Sequence, residues 1–150
     1  MSCTCAFPEP STNTDTQEFG ATFAPRFDKA GLVTAVTVEH DSNQVLMVAH
    51  MNDEAIRATL DTGYAHYWSR SRAKLWKKGE SSGETQKVHA LYVDCDQDAL
   101  VVEVSVDGRG SACHNGYRSC FYRRVDQADG EKTLTTTDTP LVSKTDLYGS

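Results

Sequence analysis

The chain has 150 residues, and its hydrophobic and charged fractions of 39% and 24% are typical of one globular domain with its own core. Its formal net charge of −6 argues against general nucleic-acid binding, so any anion site must come from a local basic cluster. No apolar run has transmembrane length and no signal-peptide pattern follows Met1, so we expect a cytoplasmic protein.

Residues 1–24 are rich in Thr, Ser, Pro and small side chains and lack periodicity, which predicts a flexible N-terminal tail. Cys3 and Cys5 lie in this tail, and we expect them to be exposed thiols. Because cytoplasmic thiols stay reduced, the five cysteines of the chain are expected to be metal ligands or free thiols rather than disulfides.

The first predicted elements are a β-hairpin and a helix. Two runs rich in β-branched and aliphatic residues, 32–38 and 45–49, are separated by turn residues and predict paired strands. A helix is predicted over about 53–62, because Asn52 is a good N-cap and Gly63 supplies the left-handed C-terminal stop.

A strongly basic segment follows the next predicted strand, residues 64–68. Five cations fall between positions 70 and 78, and hydroxyls and glycines follow up to residue 83. Guanidinium, ammonium, hydroxyl and backbone N–H groups together predict a phosphate-binding loop over 69–83. Trp68 and Trp76 offer faces on which a base could stack. The alternative is a solvated basic loop with its tryptophans in the core.

Two further predicted strands, 88–93 and 100–106, flank the acidic segment 94–98. If the first strand continues into this segment, its three aspartates line one face and Cys95 points to the other. Closely spaced carboxylates repel one another, and a hard cation such as Mg²⁺ relieves that repulsion. The candidate Mg²⁺ ligands are Asp94, Asp96 and Asp98. The alternative is a solvated acidic turn beside a buried cysteine.

The folded region contains three cysteines, Cys95, Cys113 and Cys120. Three thiolates with one open position are typical of a catalytic zinc site, whereas structural sites usually have four protein ligands. The spacing of Cys113 and Cys120 is by itself a weak zinc signal. His114 adjoins one of these cysteines in a polar loop, so it is a candidate general base or fourth ligand.

Residues after Arg124 are rich in Asp, Gly and Thr, which predicts a second tail over 126–150, with a short strand or helix near 141–147. The folded domain is therefore expected at 25–125. The pattern as a whole predicts an α+β fold, mainly antiparallel sheet with one main helix.

The predicted alternation places Cys95 on the face opposite the aspartates. If both metals serve one active site, a second copy of the chain must supply one side of it, so we expect a two-fold homodimer. Two rival hypotheses remain. One is a zinc-stabilised module whose segment 68–78 binds single-stranded nucleic acid. The other is a nucleoside deaminase, which the absence of an H-x-E…P-C-x-x-C signature disfavours.

With these pieces assembled, the sequence resembles the phosphoribosyl-AMP cyclohydrolase family of histidine biosynthesis. The resemblance covers about residues 30–124 and lies in five stretches: VLMVAHMNDEA, HYWSRSRAKLWKKGESSG, QKV, DCDQDAL and ACHNGYRSCFYR. Two departures are small: His50 stands where the family usually has Tyr, and Lys77-Lys78 replaces a common His-Lys pair. With no pyrophosphohydrolase-like domain after it, the chain resembles the monofunctional form.

This resemblance implies an intertwined homodimeric hydrolase that depends on Zn²⁺ and Mg²⁺. The implied reaction opens the purine ring of 1-(5-phosphoribosyl)-AMP at its N1–C6 bond, with zinc-activated water as nucleophile and His114 moving protons. The resemblance assigns zinc to Cys95 of one subunit with Cys113 and Cys120 of the other, and Mg²⁺ to the three aspartates. Candidate phosphate- and substrate-binding residues are Ser69, Arg70, Ser71, Arg72, Lys74, Trp76, Lys78, Ser81 and Ser82.

Overall fold

The computed structural model describes residues 7–148, which form three helices and eight strands. The main sheet consists of β1 (Val33–Glu39), β2 (Val45–Met51), β5 (Gln86–Val93) and β6 (Ala99–Val106). Two small sheets pair β3 (His66–Ser69) with β4 (Lys74–Lys77) and β7 (Arg123–Ala128) with β8 (Glu131–Thr136). The helices are α1 (Thr14–Phe19), α2 (Asp53–Thr62) and α3 (Lys144–Tyr148).

The main sheet has the spatial order β2-β1-β6-β5 and confirms the predicted α+β fold class. The β1–β2 and β5–β6 pairs are antiparallel, as expected for strands joined by short turns. The central β1–β6 pair is parallel, with Ala35 opposite Leu100, and nothing in the local sequence predicted it. Each predicted strand of this sheet is present, with ends that differ by one or two residues. None of the helices within residues 7–148 is long and apolar enough to cross a bilayer.

Helix α2 confirms the predicted bounds and caps. The Asn52 side chain accepts a hydrogen bond from the N–H of Ala55 at 2.8 Å, and Gly63 adopts φ 79° and donates its N–H to the carbonyl of Thr59. The buried face includes Ile56, which joins the core formed by the main sheet. This packing holds α2 against the end of β2 and the start of β3.

A fully buried tyrosine connects the small β3–β4 sheet to the main sheet. The Tyr67 hydroxyl donates to Gln86 Oε1 at 2.7 Å and lies 2.6 Å from Thr37 Oγ1. Because a buried phenol needs polar partners, these contacts place β3 across the sheet in one orientation. Desolvation raises the pKa of Tyr67 strongly, so it remains a neutral donor.

The basic segment 69–83 was predicted to be a loop, and that prediction is wrong for residues 74–77. These residues form β4 and pair with β3, with Trp76 opposite Tyr67. Leu75 and Trp76 pack against the core, and this packing favours a strand at residues 74–77. The cations are therefore presented on a rigid hairpin followed by a short loop.

The predicted N-terminal tail contains regular structure. Asn13 caps α1 through its side chain, which accepts from the N–H of Thr16 at 3.0 Å. Gln17 is buried, and its side chain donates to the carbonyl of Ala24 at 3.0 Å. The expectation of an irregular segment through residue 24 is therefore wrong for residues 14–19. The predictions for Cys3 and Cys5 fall outside residues 7–148.

The predicted C-terminal tail also contains regular structure. Residues 123–136 form the β7–β8 hairpin, in which Val125 and Leu134 face each other across the strands. Of the short strand or helix expected near 141–147, the structure has a helix, α3, which begins three residues later and ends one residue later. The prediction failed over the hairpin because its polar, Thr-rich strands carry no hydrophobic alternation.

Candidate active site

The acidic segment forms a tight turn between β5 and β6. The N–H of Asp94 donates to the carbonyl of Ala99 at 3.0 Å, and the N–H of Gln97 donates to the carbonyl of Asp94 at 3.1 Å. Gln97 has φ 65°, which breaks the strand. The predicted continuation of β5 is therefore wrong, and so is the argument that alternation places Cys95 opposite the aspartates. The three carboxylates nevertheless converge, with ligand oxygens of Asp94, Asp96 and Asp98 within 4.8 Å of one another.

Two of these carboxylates, Asp94 and Asp98, perturb each other's pKa. The Asp94 side chain accepts from the backbone N–H groups of Asp98 at 2.9 Å and Ala99 at 3.2 Å. Burial opposes its ionisation, but the hydrogen bond from the Asp98 side chain and these backbone bonds outweigh burial and lower the pKa of Asp94. The same hydrogen bond to Asp94, then desolvation and the repulsion of Asp94 and Asp96, raise the pKa of Asp98 to about 6. Carboxylate oxygens are hard ligands, and carboxylates this close repel one another when ionised. The group therefore suits a divalent cation such as Mg²⁺.

A buried glutamine, Gln97, links the acidic turn to the N-terminal segment by hydrogen bonds. The Gln97 side chain accepts from the N–H of Ala24 at 2.9 Å and donates to the carbonyl of Gln17 at 2.9 Å. Its own carbonyl accepts from the N–H of Arg26 at 2.6 Å. The N-terminal segment is thus part of the structure that positions the aspartates. In the sequence, the only indication of this role is that Gln97 is an uncharged residue within an acidic run. That pattern is equally compatible with an exposed side chain.

Two thiols lie together in the loop after β6. Cys113 is buried and Cys120 reaches the surface. Desolvation of the thiol by its protein neighbours and the adjacent Cys113 raise the pKa of Cys120 to about 11, against the opposing attraction of Lys78. Two adjacent cysteine sulfurs are soft ligands of the kind that Zn²⁺ takes in proteins, and a bound cation would favour their thiolate form.

Neither of the other predicted zinc-site residues joins this pair within one chain. Among residues 7–148, the aspartates of the acidic turn are the only group of three or more His, Cys, Asp or Glu side chains close enough to hold one ion. Cys95 lies in that turn and is exposed. His114 is exposed beside Cys113, in a turn closed by the bond from the N–H of Gly116 to the carbonyl of Cys113 at 3.0 Å.

The thiol loop is tied to the basic segment by Glu84. This carboxylate is buried and accepts from the backbone N–H of Arg109 at 2.9 Å and of Ser111 at 3.2 Å. Lys78 lies near the same residues: burial lowers the pKa of its ammonium, whereas Cys120, Cys113 and Glu84 oppose that shift. Glu84 and Lys78 therefore connect the basic segment to the loop that carries the two thiols.

A basic pocket of about 290 Å³ opens beside these thiols. Its lining comes from residues between positions 72 and 82, in β4 and the turns on either side of it, together with Tyr148 of α3. Of the predicted substrate-binding residues, the pocket brings together Arg72, Lys74, Trp76, Lys78, Ser81 and Ser82. Arg70 lies outside this lining, near His50, whose pKa is lowered by burial and then by the Arg70 guanidinium, with Asp28 opposing.

The two tryptophans of the basic segment lie on opposite faces of the β3–β4 hairpin. Trp76 pairs with Tyr67 across the strands, and their ring centroids are 5.5 Å apart. Trp68 pairs with Leu75, so its side chain projects from the other face. Trp76 alone of the two lines the pocket. A base in the pocket would therefore meet one tryptophan.

Four contributors to the site were missed at the sequence level. They are Lys77, Glu84, Gln97 and Tyr148. Lys77 was counted in the basic cluster but not assigned a role. Glu84 and Gln97 act through backbone contacts that depend on the fold. Tyr148 lies far along the chain from the motifs. Its only sequence signal is that Leu147 and Tyr148 are apolar or aromatic residues in an otherwise polar segment.

Comparison with known proteins gives concordant matches. The sequence model of the family described as PRA-CH, phosphoribosyl-AMP cyclohydrolase, matches residues 47–122. The chain is 56% identical over 128 residues to the phosphoribosyl-AMP cyclohydrolase of Brucella anthropi, which spans 85% of this chain and 91% of that protein. It is 55% identical over 129 residues to the protein of that name from Brucella canis, and 54% identical to that from Chelativorans sp., in both cases over 86% of this chain and 93% of the relative.

Proposed function

The chain belongs to the phosphoribosyl-AMP cyclohydrolase family, and we propose that it hydrolyses 1-(5-phosphoribosyl)-AMP in histidine biosynthesis. Water adds to C6 of the purine, the C6–N1 bond breaks, and N1 leaves with a proton to give the formimino-carboxamide ribonucleotide. The observation that carries this proposal is the packing of the basic segment against the loop that carries the two thiols. Glu84 accepts from the N–H groups of Arg109 and Ser111 in that loop, and Lys78 lies within electrostatic range of both thiols. A candidate metal site and a candidate phosphate site therefore lie beside each other.

The basic pocket binds one end of the substrate. Arg72, Lys74 and Lys78 supply positive charge, and the hydroxyls of Ser81 and Ser82 donate hydrogen bonds to phosphate oxygens. Its volume is about 290 Å³, at the lower end of ligand pockets, so it suits a phosphoribosyl group rather than the whole substrate. The purine would then extend from the pocket toward the thiols.

The three aspartates hold Mg²⁺. Their oxygens lie within 4.8 Å of one another, and a divalent cation held there would offset the mutual repulsion of the carboxylates. A divalent ion on an exposed turn can also face a second phosphate of the substrate, which the basic pocket does not reach.

Zinc is held by Cys113 and Cys120 together with Cys95 of the partner subunit. Zinc at such a site supplies an activated water near neutral pH. Two observations support the shared site: the thiols of one chain lack a third ligand within residues 7–148, and Cys95 is exposed on its turn. A homodimer would bring the two half-sites together.

His114 moves the proton. It is exposed and directly follows a proposed zinc ligand, in a turn closed by the bond from the N–H of Gly116 to the carbonyl of Cys113. As an imidazole it can take a proton from the attacking water and return it to N1 as the C6–N1 bond breaks.

The test is an absorbance assay with phosphoribosyl-AMP, run on the purified chain with zinc and magnesium and again after a chelator. We expect turnover that the chelator abolishes and zinc restores. Matched samples of His114→Ala and Lys132→Ala separate chemistry from folding, because Lys132 lies exposed on β8 and belongs neither to the basic pocket nor to the acidic turn. The histidine variant should lose kcat with little change in KM. Absence of turnover in the metal-loaded wild type would refute the proposal.

A further inference from the structure

The C-terminal segment reaches the basic pocket, although it lies outside the stretch that the family model matches. Apart from Tyr148, every residue that lines this pocket lies between positions 72 and 82. Tyr148 is thus the one wall that comes from a distant part of the described chain. Its side chain is 48% exposed, so core packing alone does not account for an aromatic side chain at the pocket mouth.

The position of Tyr148 is fixed by contacts upstream of it. Its neighbour Leu147 is buried and anchors α3. The N–H of Leu141 donates to the carbonyl of Gly116 at 2.8 Å, and Arg109 Nη2 donates to the carbonyl of Asp146 at 3.3 Å. Gly116 and Arg109 both belong to the loop that carries the two thiols. The segment is therefore docked on the loop that carries the two thiols. Leu147 packs into the protein, whereas Tyr148 lines the pocket.

The chemistry of Tyr148 suits a phosphate in this pocket. A phenol is a neutral donor at pH 7, and a phosphate offers several acceptor oxygens. The other polar groups of the lining are predominantly cations and hydroxyls, with Glu80 as the single acid. We propose that Tyr148 is a substrate-binding residue, which closes the basic pocket and donates a hydrogen bond from its hydroxyl to the phosphate bound there. This inference rests on the proposed function for the identity of the substrate.

The decisive variant is Tyr148→Phe, which removes the hydroxyl and keeps the ring. We expect KM for phosphoribosyl-AMP to rise roughly tenfold, because a hydrogen bond to a charged group is lost, while kcat stays within about twofold. Tyr148→Ala should raise KM further, since it also opens one wall of the pocket. Thr145→Ala, on the exposed side of the same helix, is the matched control and should leave both constants unchanged.

A second measurement does not depend on the reaction. Binding of inorganic phosphate to the metal-loaded full chain, followed by phosphorus NMR, should weaken by a similar factor in Tyr148→Phe and remain unchanged in Thr145→Ala. Zinc content should be the same in all samples.

The outcomes separate the two proposals. An active wild type whose Tyr148→Phe variant keeps the wild-type KM and phosphate affinity would overturn the role of Tyr148 and leave the proposed function intact. Parallel loss of kcat and zinc in both Tyr148 variants would also overturn it, since the segment would then act only as a structural support. If the wild type is inactive, the proposed function fails, and the phosphate titration alone decides whether Tyr148 binds an anion.

Discussion

At the residue scale, the raised pKa of Asp98 predicts that its carboxylate opposes folding of the metal-free protein near neutral pH. Its ordinary pKa of 3.8 is raised to about 6 in the folded state by Asp94 and Asp96. A raised folded-state pKa means that the group favours the folded state at low pH and that this contribution is lost as pH rises through about 6. A bound divalent cation would remove the repulsion that causes the shift.

Asp98→Asn should therefore raise the melting temperature of the chelator-treated protein at pH 7.5, and by less at pH 5. With Mg²⁺ present, we expect the variant to lose its advantage, because it has one ligand fewer. Thermal unfolding at both pH values, with chelator and with Mg²⁺, measures this. Asp41→Asn, exposed in the turn between β1 and β2, is the control. An equal effect of Asp98→Asn in all four conditions would contradict the interpretation that the raised pKa of Asp98 destabilises the folded state.

At the element scale, the docking of the C-terminal segment depends on a glycine in the thiol loop. Gly116 has φ 90°, and a Cβ at this position would lie 1.9 Å from the carbonyl oxygen of Val142. The left-handed backbone and the close approach of the two segments therefore both require glycine here. The loop that carries the thiols and the segment that carries Tyr148 are fitted to each other.

Gly116→Ala should destabilise the protein and release the C-terminal segment to proteases. Gly130→Ala is a matched control, because Gly130 has φ 80° but a Cβ added there would meet no atom within 4 Å. The control measures backbone strain alone, about 1–3 kcal/mol. We expect Gly116→Ala to exceed it clearly in denaturant unfolding and to raise KM as Tyr148→Ala does. Equal destabilisation by the two variants would show that the contact with Val142 is unimportant.

At the scale of the whole molecule, the proposed zinc ligands divide into two groups on one chain. Cys113 and Cys120 lie together, whereas Cys95 lies on the acidic turn and does not join them within residues 7–148. A two-fold dimer would form two equivalent sites, each with ligands from both copies.

Mixing two inactive variants tests this arrangement. Cys95→Ala and Cys113→Ala should each be inactive as homodimers, but a mixed dimer contains one intact site. Co-refolding equal amounts should restore about one quarter of wild-type activity if chains pair at random. Cys113→Ala mixed with Cys120→Ala is the control and should stay inactive, because both defects fall on the same half-site. No recovery in the first mixture would refute the shared site.

Local sequence signals predicted the local structure well. Helix α2 has the bounds predicted from Asn52 and Gly63, because capping hydrogen bonds form within a few residues. The strands of the main sheet followed from β-branched runs. The prediction failed at the acidic turn, where the aspartates do converge, but through a left-handed residue at Gln97 rather than through strand alternation.

The fold class, the main helix, most strands and the residue types of the candidate site could all be predicted from the amino-acid sequence. The parallel β1–β6 pairing, the burial of Gln97 and Glu84, and the docking of Tyr148 at the basic pocket became visible only in the folded chain. The two sets of features differ in the distance along the chain over which the interactions act. Caps, turns and periodicity act between near neighbours in the chain, whereas these contacts join segments that the fold alone brings together, and no local pattern marks which segment will be the partner.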